Sequence, residues 1–273
     1  MMNNGVNPMI RQLVMATVTS LAMTAQAETL TDANDITARA DHASYYAGAD
    51  GRSEVRMIIT DAQGRQQRRQ FTVLRRDVED VGDQQFLVVF SQPSDVRNTT
   101  FLVEKHVDRD DDRWLYLPGL DLVKRISAGD KRTSFVGAHY FYEDVSGRRP
   151  ADDSHELVET TDQFYVLRHT PKDLQSVEFA SYVTWIDRQT FLPMKIEYTN
   201  RAGDIYRRVE VFDVAEFDGY PTVTTSRVSD LLTGGKTDMQ FRHIKYDVGL
   251  PDSVFTERSL RTPPRDWLKR PAE

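Results

Sequence analysis

From residue 53 to residue 60 the chain alternates. Val55, Met57 and Ile59 share one face, and Glu54 and Arg56 share the other. A period of two is the mark of a strand with one buried side. Asp61-Ala-Gln-Gly64 then supplies a turn, and residues 67–75 resume the alternation with Phe71 and Val73 on one face. Two such runs around a glycine-containing loop read as a hairpin. The pattern returns at residues 86–90, 100–104, 113–117, 122–126, 164–169, 178–186, 194–199, 206–213, 222–229 and 236–246. Asp187-Arg-Gln-Thr190, Asn200-Arg-Ala-Gly203 and Thr233-Gly-Gly235 separate several of these runs. Short connectors make neighbouring strands mostly antiparallel, and the count comes to about eleven. The expectation is a mainly β domain with few helices: one large antiparallel sheet curled around its own concave face.

Three stretches depart from the pattern. Thr31 or Asp32 caps a helix in which Ile36, Ala40 and Ala43 recur at helical spacing, ending near Tyr45-Tyr46. Residues 134–142 (SFVGAHYFY) are aromatic without a period and read as a short helix or an irregular loop. Residues 144–162 read as polar surface. At the amino terminus, Arg11 precedes an uncharged run at 13–23, and Ala25-Gln-Ala27 has the small-x-small form of a secretory cleavage site. Residues 1–27 are therefore expected to be a signal peptide, with residues 28–273 a single exported domain.

The net charge of -7 gives no global basic field, so nucleic acid is not an expected partner. The absence of cysteine excludes disulfides, a thiol nucleophile, thiolate metal sites and lipid attachment through an amino-terminal cysteine. Asp108, Asp110 and Asp112 alternate like calcium ligands, but Arg113 and Trp114 stand where the loop glycine would begin, and no closing glutamate follows. The six histidines lack zinc spacing, and no nucleophile elbow, phosphate-binding loop or dinucleotide fingerprint is present. Glu143-Asp144 is the one acid–base candidate, and ordinary surface charge explains it as well. No metal, cofactor or enzymatic activity is expected.

What remains is a surplus of apolar side chains. Trp114 and Tyr116 share one face of their strand, and Leu115 and Leu117 share the other, so both faces are apolar. Residues 86–90 and 135–141 behave alike. Two explanations stay open at this level: a packed core capped by a helix, or a barrel enclosing a small apolar ligand.

Asp112-Arg-Trp-Leu-Tyr-Leu-Pro118, Leu122-Val-Lys-Arg-Ile126, Ser134-Phe-Val-Gly137 and Tyr142-Glu-Asp144, in that order, resemble the LolA-like outer-membrane lipoprotein-sorting proteins. Ile36 to Ala40, Val55 to Thr60, Gly64, Arg69 and the tail Gly249-Leu-Pro-Asp-Ser-Val-Phe-Thr256 agree with it. One departure is Asn98, where the resemblance leads us to expect glycine. The resemblance implies an incomplete antiparallel β-barrel with a helical lid, and an apolar cavity that shelters acyl chains in the periplasm. It implies lipid or lipoprotein acyl chains as cargo, an outer-membrane acceptor, and an RND-type inner-membrane exporter as a partner of this branch of the family. Strand alternation nominates Val55, Met57, Ile59, Phe71, Val73, Trp114 and Tyr116 as cavity residues, with plain core packing as the alternative for each. An adaptor docking on the exporter without lipid, and a lipid-modifying hydrolase using Asp144, are the rival functions.

Overall fold

The computed structural model describes residues 29–269; the expected signal peptide lies outside them. Asp32 caps the first helix, α1 (Ala33–Tyr45), by accepting from the backbone N–H groups of Asn34 (2.7 Å) and Asp35 (3.2 Å). Ile36 and Ala40, one helical turn apart, are the residues it buries.

Thirteen strands follow among the described residues: β1 (Asp50–Thr60), β2 (Gln66–Asp77), β3 (Gln84–Gln92), β4 (Thr100–Lys105), β5 (Asp112–Leu117), β6 (Leu122–Arg125), β7 (Asp153–Thr160), β8 (Phe164–Pro171), β9 (Phe179–Asp187), β10 (Pro193–Asn200), β11 (Ile205–Phe217), β12 (Tyr220–Asp230) and β13 (Lys236–Tyr246). They form one sheet in the order β6-β5-β4-β3-β2-β1-β13-β12-β11-β10-β9-β8-β7. Every pairing is antiparallel, including the central one, where β1 meets β13 with Val55 opposite Phe241. The chain therefore runs outward from β1 to one edge at β6, passes through residues 126–152 to the other edge at β7, and returns to its starting strand. The edges do not pair with each other, so the barrel is incomplete.

β7 lies in the stretch that reads as polar surface. It is an edge strand, mostly exposed, with a bulge between Leu157 and Glu159. Its charged residues suit an edge that must not recruit another strand, and the same charges hide the alternation. The aromatic stretch 134–142 is an irregular turn closed by a bridge between Ser134 and Phe141, and the one-turn helix α2 (Glu143–Ser146) follows it.

Two apolar clusters occupy the two faces of the β1–β5 half of the sheet, and another, built on Val177, Phe179 and Tyr198, lies on the other half with Ile196 and Val209 against it. On the concave face Val55, Met57, Phe71, Phe90, Phe101 and Leu115 pack against Phe135, Ala138 and Tyr142 of the crossing segment. On the convex face Leu74, Leu87, Val89 and Leu102 meet Leu250, Val254, Phe255 and Leu260 of the carboxy-terminal segment. That segment carries the short helices α3 (Glu257–Arg261) and α4 (Arg265–Leu268). The buried Arg52 fastens α4 to β1, donating to the carbonyls of Trp267 (3.0 Å) and Leu268 (3.1 Å).

The acidic run before β5 is more than a solvated turn. Asp111 is buried and accepts from Arg113 (2.5 Å) and the Ser146 hydroxyl (2.8 Å). Asp112 pairs with Arg109 (2.8 Å) and Arg125, and Asp110 pairs with Lys131 (3.2 Å). These carboxylates tie the β4–β5 turn to the start and the end of the crossing segment.

Candidate functional site: an apolar cavity under the crossing segment

A cavity of about 360 Å³ lies on the concave face. Its roof is the last turn of α1 (Ala43 to Tyr45) together with Phe135, Tyr140 and Val145 of the crossing segment. Its walls are Phe71, Val73 and Val88 on one side of the central seam, and Ile196, Val209 and Val223 on the other. Met239 and Phe241 of β13 form the seam itself. Register explains the gathering: Ile196 is opposite Val209, and Ser226 is opposite Met239, so their side chains fall on the same face.

The roof is pinned by hydrogen bonds to the sheet. Arg75 of β2 donates to the carbonyls of Tyr45 (2.5 Å), Ala47 (2.6 Å) and Gly48 (2.7 Å), and the Gln84 amide donates to Tyr45 (2.7 Å). These donors satisfy carbonyls that the end of a helix leaves unpaired. The crossing segment is held by charge. Arg132 pairs with Glu143 (2.5 Å) and Glu178 (2.9 Å), Arg148 with Asp153 (2.7 Å), and Arg207 of β11 with Asp144 (2.5 Å). Arg132 and Arg207 also lie against aromatic faces, at 4.7 Å from Phe179 and 4.4 Å from Phe141 respectively.

Polar groups of the roof are engaged. The hydroxyls of Tyr140 and Ser226 lie 2.8 Å apart, and burial pushes the Tyr140 phenol well above its ordinary range, so it stays neutral. Asp144 accepts from the Phe141 N–H (2.7 Å) and from Arg207. A carboxylate held in this way acts as an anchor for the roof, since its oxygen already serves two donors. What converges on the open volume is mainly hydrocarbon and aromatic ring. Away from the cavity, donor atoms of Glu104, His106 and Asp112 fall close together. There Asp83 holds His106 at 2.7 Å and two arginines hold Asp112.

The structure distributes the seven nominated residues over three places. Phe71 and Val73 line the cavity. Val55, Met57 and Ile59 lie in the concave cluster, with Met57 fully buried. Trp114 and Tyr116 pack on the convex face beside the carboxy-terminal segment, while Leu115 and Leu117 turn to the concave side. Ile196, Val209, Val211, Val223 and Phe241 were not nominated. The alternation of Val209 and Val211 along β11 was visible in the sequence, but nothing local marked which of the later strands border open space.

A family model carrying the description "-like: Uncharacterized protein" matches residues 82–262, well over half of the chain. Comparison of the sequence with curated proteins finds no match. Among solved structures, a DUF1329 family protein from Desulfovibrio piger superposes with a TM-score of 0.77 at 29% identity, over 84% of this chain and 97% of that one. A domain classed as an outer membrane lipoprotein-sorting protein, from Vibrio parahaemolyticus, gives 0.75 at 28% identity, over 84% and 98%. A LolA superfamily protein from Nitrosomonas europaea shares the fold, with a TM-score of 0.65 at 20% identity over 84% and 99%.

Proposed function

We propose that this chain, which belongs to the family whose model carries the description "-like: Uncharacterized protein", is a periplasmic, non-enzymatic carrier of acyl chains, a reading supported by its likeness to an outer membrane lipoprotein-sorting protein domain. The observation that carries this reading is the roofed apolar cavity on the concave face of an unclosed sheet. Each methylene transferred from water into such a space gains about 0.8 kcal/mol, which retains a lipid chain without any chemical step. The half-buried walls suit a cargo that must leave again. An RND-type exporter as inner-membrane partner, and the outer membrane as acceptor, complete the reading.

The test is native mass spectrometry of the protein isolated from its own periplasm, followed by titration with a fluorescent fatty acid. A bound lipid or acylated peptide, and a roughly tenfold or greater loss of fatty-acid affinity in a folded Val209→Asp variant, are the expected results. A bare protein that stays bare after incubation with lipid vesicles would leave the exporter-adaptor function in its place.

A further inference from the structure

We propose that the convex face carries a second binding site, which takes an acidic polypeptide segment of a partner protein. A groove of about 540 Å³ crosses β13, β1, β2 and β3 on the face opposite the cavity. It is bordered by Arg56 of β1, Arg242 of β13 and Arg97 of the β3–β4 loop. Arg68 lies two residues from the groove residue Gln70, on the same face of β2.

All four arginines are exposed. None of them has a carboxylate within 4.0 Å among the described residues, although arginines elsewhere repeatedly do, as at Arg113, Arg132, Arg148 and Arg207. Glu54 is the one carboxylate in the groove lining, and the buried Arg52 already holds it at 2.9 Å. A chain with a net charge of -7 thus leaves a local positive field on one patch.

The shape selects the occupant. Four adjacent strands span three inter-strand spacings, about 14 Å, which an extended chain covers in four or five residues. Arginine forks match carboxylates with two parallel hydrogen bonds. Thr72, Gln70 and Ser91 give the groove polar groups for a peptide backbone. None of the large apolar side chains that stand exposed elsewhere lies in this lining, so the patch lacks what would insert into a lipid surface. The site is independent of what the cavity holds.

Fluorescence anisotropy with a fluorescein-labelled hexaglutamate peptide at low ionic strength tests the proposal. The expected result is saturable binding that salt weakens. Binding should fall roughly tenfold or more in an Arg56→Gln/Arg242→Gln double variant and be unchanged in an Arg39→Gln/Arg168→Gln control. Circular dichroism confirms that each variant folds, and the fatty-acid titration confirms that the cavity is intact. Absence of peptide binding, or equal loss in the control, overturns the proposal. So does sedimentation with phosphatidylglycerol vesicles that depends on Arg56 and Arg242 without any peptide binding.

Discussion

The two sides of the β1–β13 seam share one sheet and one concave face, yet they are filled differently. On the β1–β5 side, Phe135 sits 5.4 Å from Phe101, 5.6 Å from Tyr142 and 5.8 Å from Phe90, ring centre to ring centre. On the β10–β12 side, Ile196, Val209 and Val223 are only half-buried and border open volume. The crossing segment makes the difference. It packs Phe135 and Tyr142 into the first side and fastens itself to the second with the ion pairs Arg132 to Glu178 and Asp144 to Arg207, with Phe141 against Arg207 and Tyr140 bonded to Ser226. Aromatic packing stabilises in proportion to the contact it fills. The ion pairs, exposed at Glu178 and buried at their arginines, add little net stability, because screening or desolvation offsets the attraction, but they fix position. One side therefore holds the fold together, while the other holds the roof in place over a space.

This contrast breaks first at Phe135, which is 1% exposed. Phe135→Ala should cost about 3–5 kcal/mol, read as a shift in the urea midpoint at constant slope. Val209→Ala on the open side should cost less than about 1 kcal/mol, because its side chain already borders a void. Equal costs would mean that the two sides are packed alike.

The next effect belongs to the second side and depends on pH. His155 and His169 face each other across β7 and β8, with their Nδ1 atoms 2.7 Å apart. One ring donates and the other accepts, so the pair is built for two neutral imidazoles. Burial, with His155 beside it, pushes His169 down to about 3. The unfolded chain binds a proton there near its ordinary value of 6.5, and the folded chain does not. Stability is therefore complete above about pH 6.5 and is lost as pH falls toward 3. Between about pH 7 and pH 5 the loss should be about 2 kcal/mol. Thermal melts across that range check it. A His169→Gln variant, less stable at neutral pH, should show a flatter dependence; an unchanged slope would exclude the pair as its source.

The same contrast explains what the sequence could reveal. The runs read as strands, counted as about eleven, fall on every strand but β7, because each presents at least one apolar face. β7 escaped because an edge strand needs little burial and is better served by Glu156 and Glu159, which keep other strands away. The helix cap was legible in Asp32 because capping is a local interaction. The choice of face was not local. Trp114-Leu115-Tyr116-Leu117 is apolar both ways, and only the carboxy-terminal residues Leu250 to Leu260 determine that Trp114 and Tyr116 face outward under cover. Open volume is harder still to read. A half-buried valine at a cavity wall and a buried valine in a core leave the same mark in a pattern of period two. Val209 and Val55 differ in what distant segments, α1 and the crossing segment among them, lay over them.

The smallest effect concerns a position that neither side of the seam depends on. Asn98, in the β3–β4 loop, has φ of +65°, and its N–H donates to the Phe90 carbonyl at 2.8 Å. That left-handed conformation costs most residues about 1–2 kcal/mol, and asparagine less, because its short amide bonds locally. Glycine adopts it freely but loses more chain entropy on folding. Asn98→Gly should therefore leave stability within about 0.5 kcal/mol, whereas Asn98→Ala should cost about 1 kcal/mol. The order Gly ≥ Asn > Ala in urea midpoints is the signature of a backbone requirement, and it accounts for why glycine is the expected residue here. If Asn98→Ala proves as stable as Asn98→Gly, the turn does not need its left-handed residue, and asparagine stands at this position for its side chain alone.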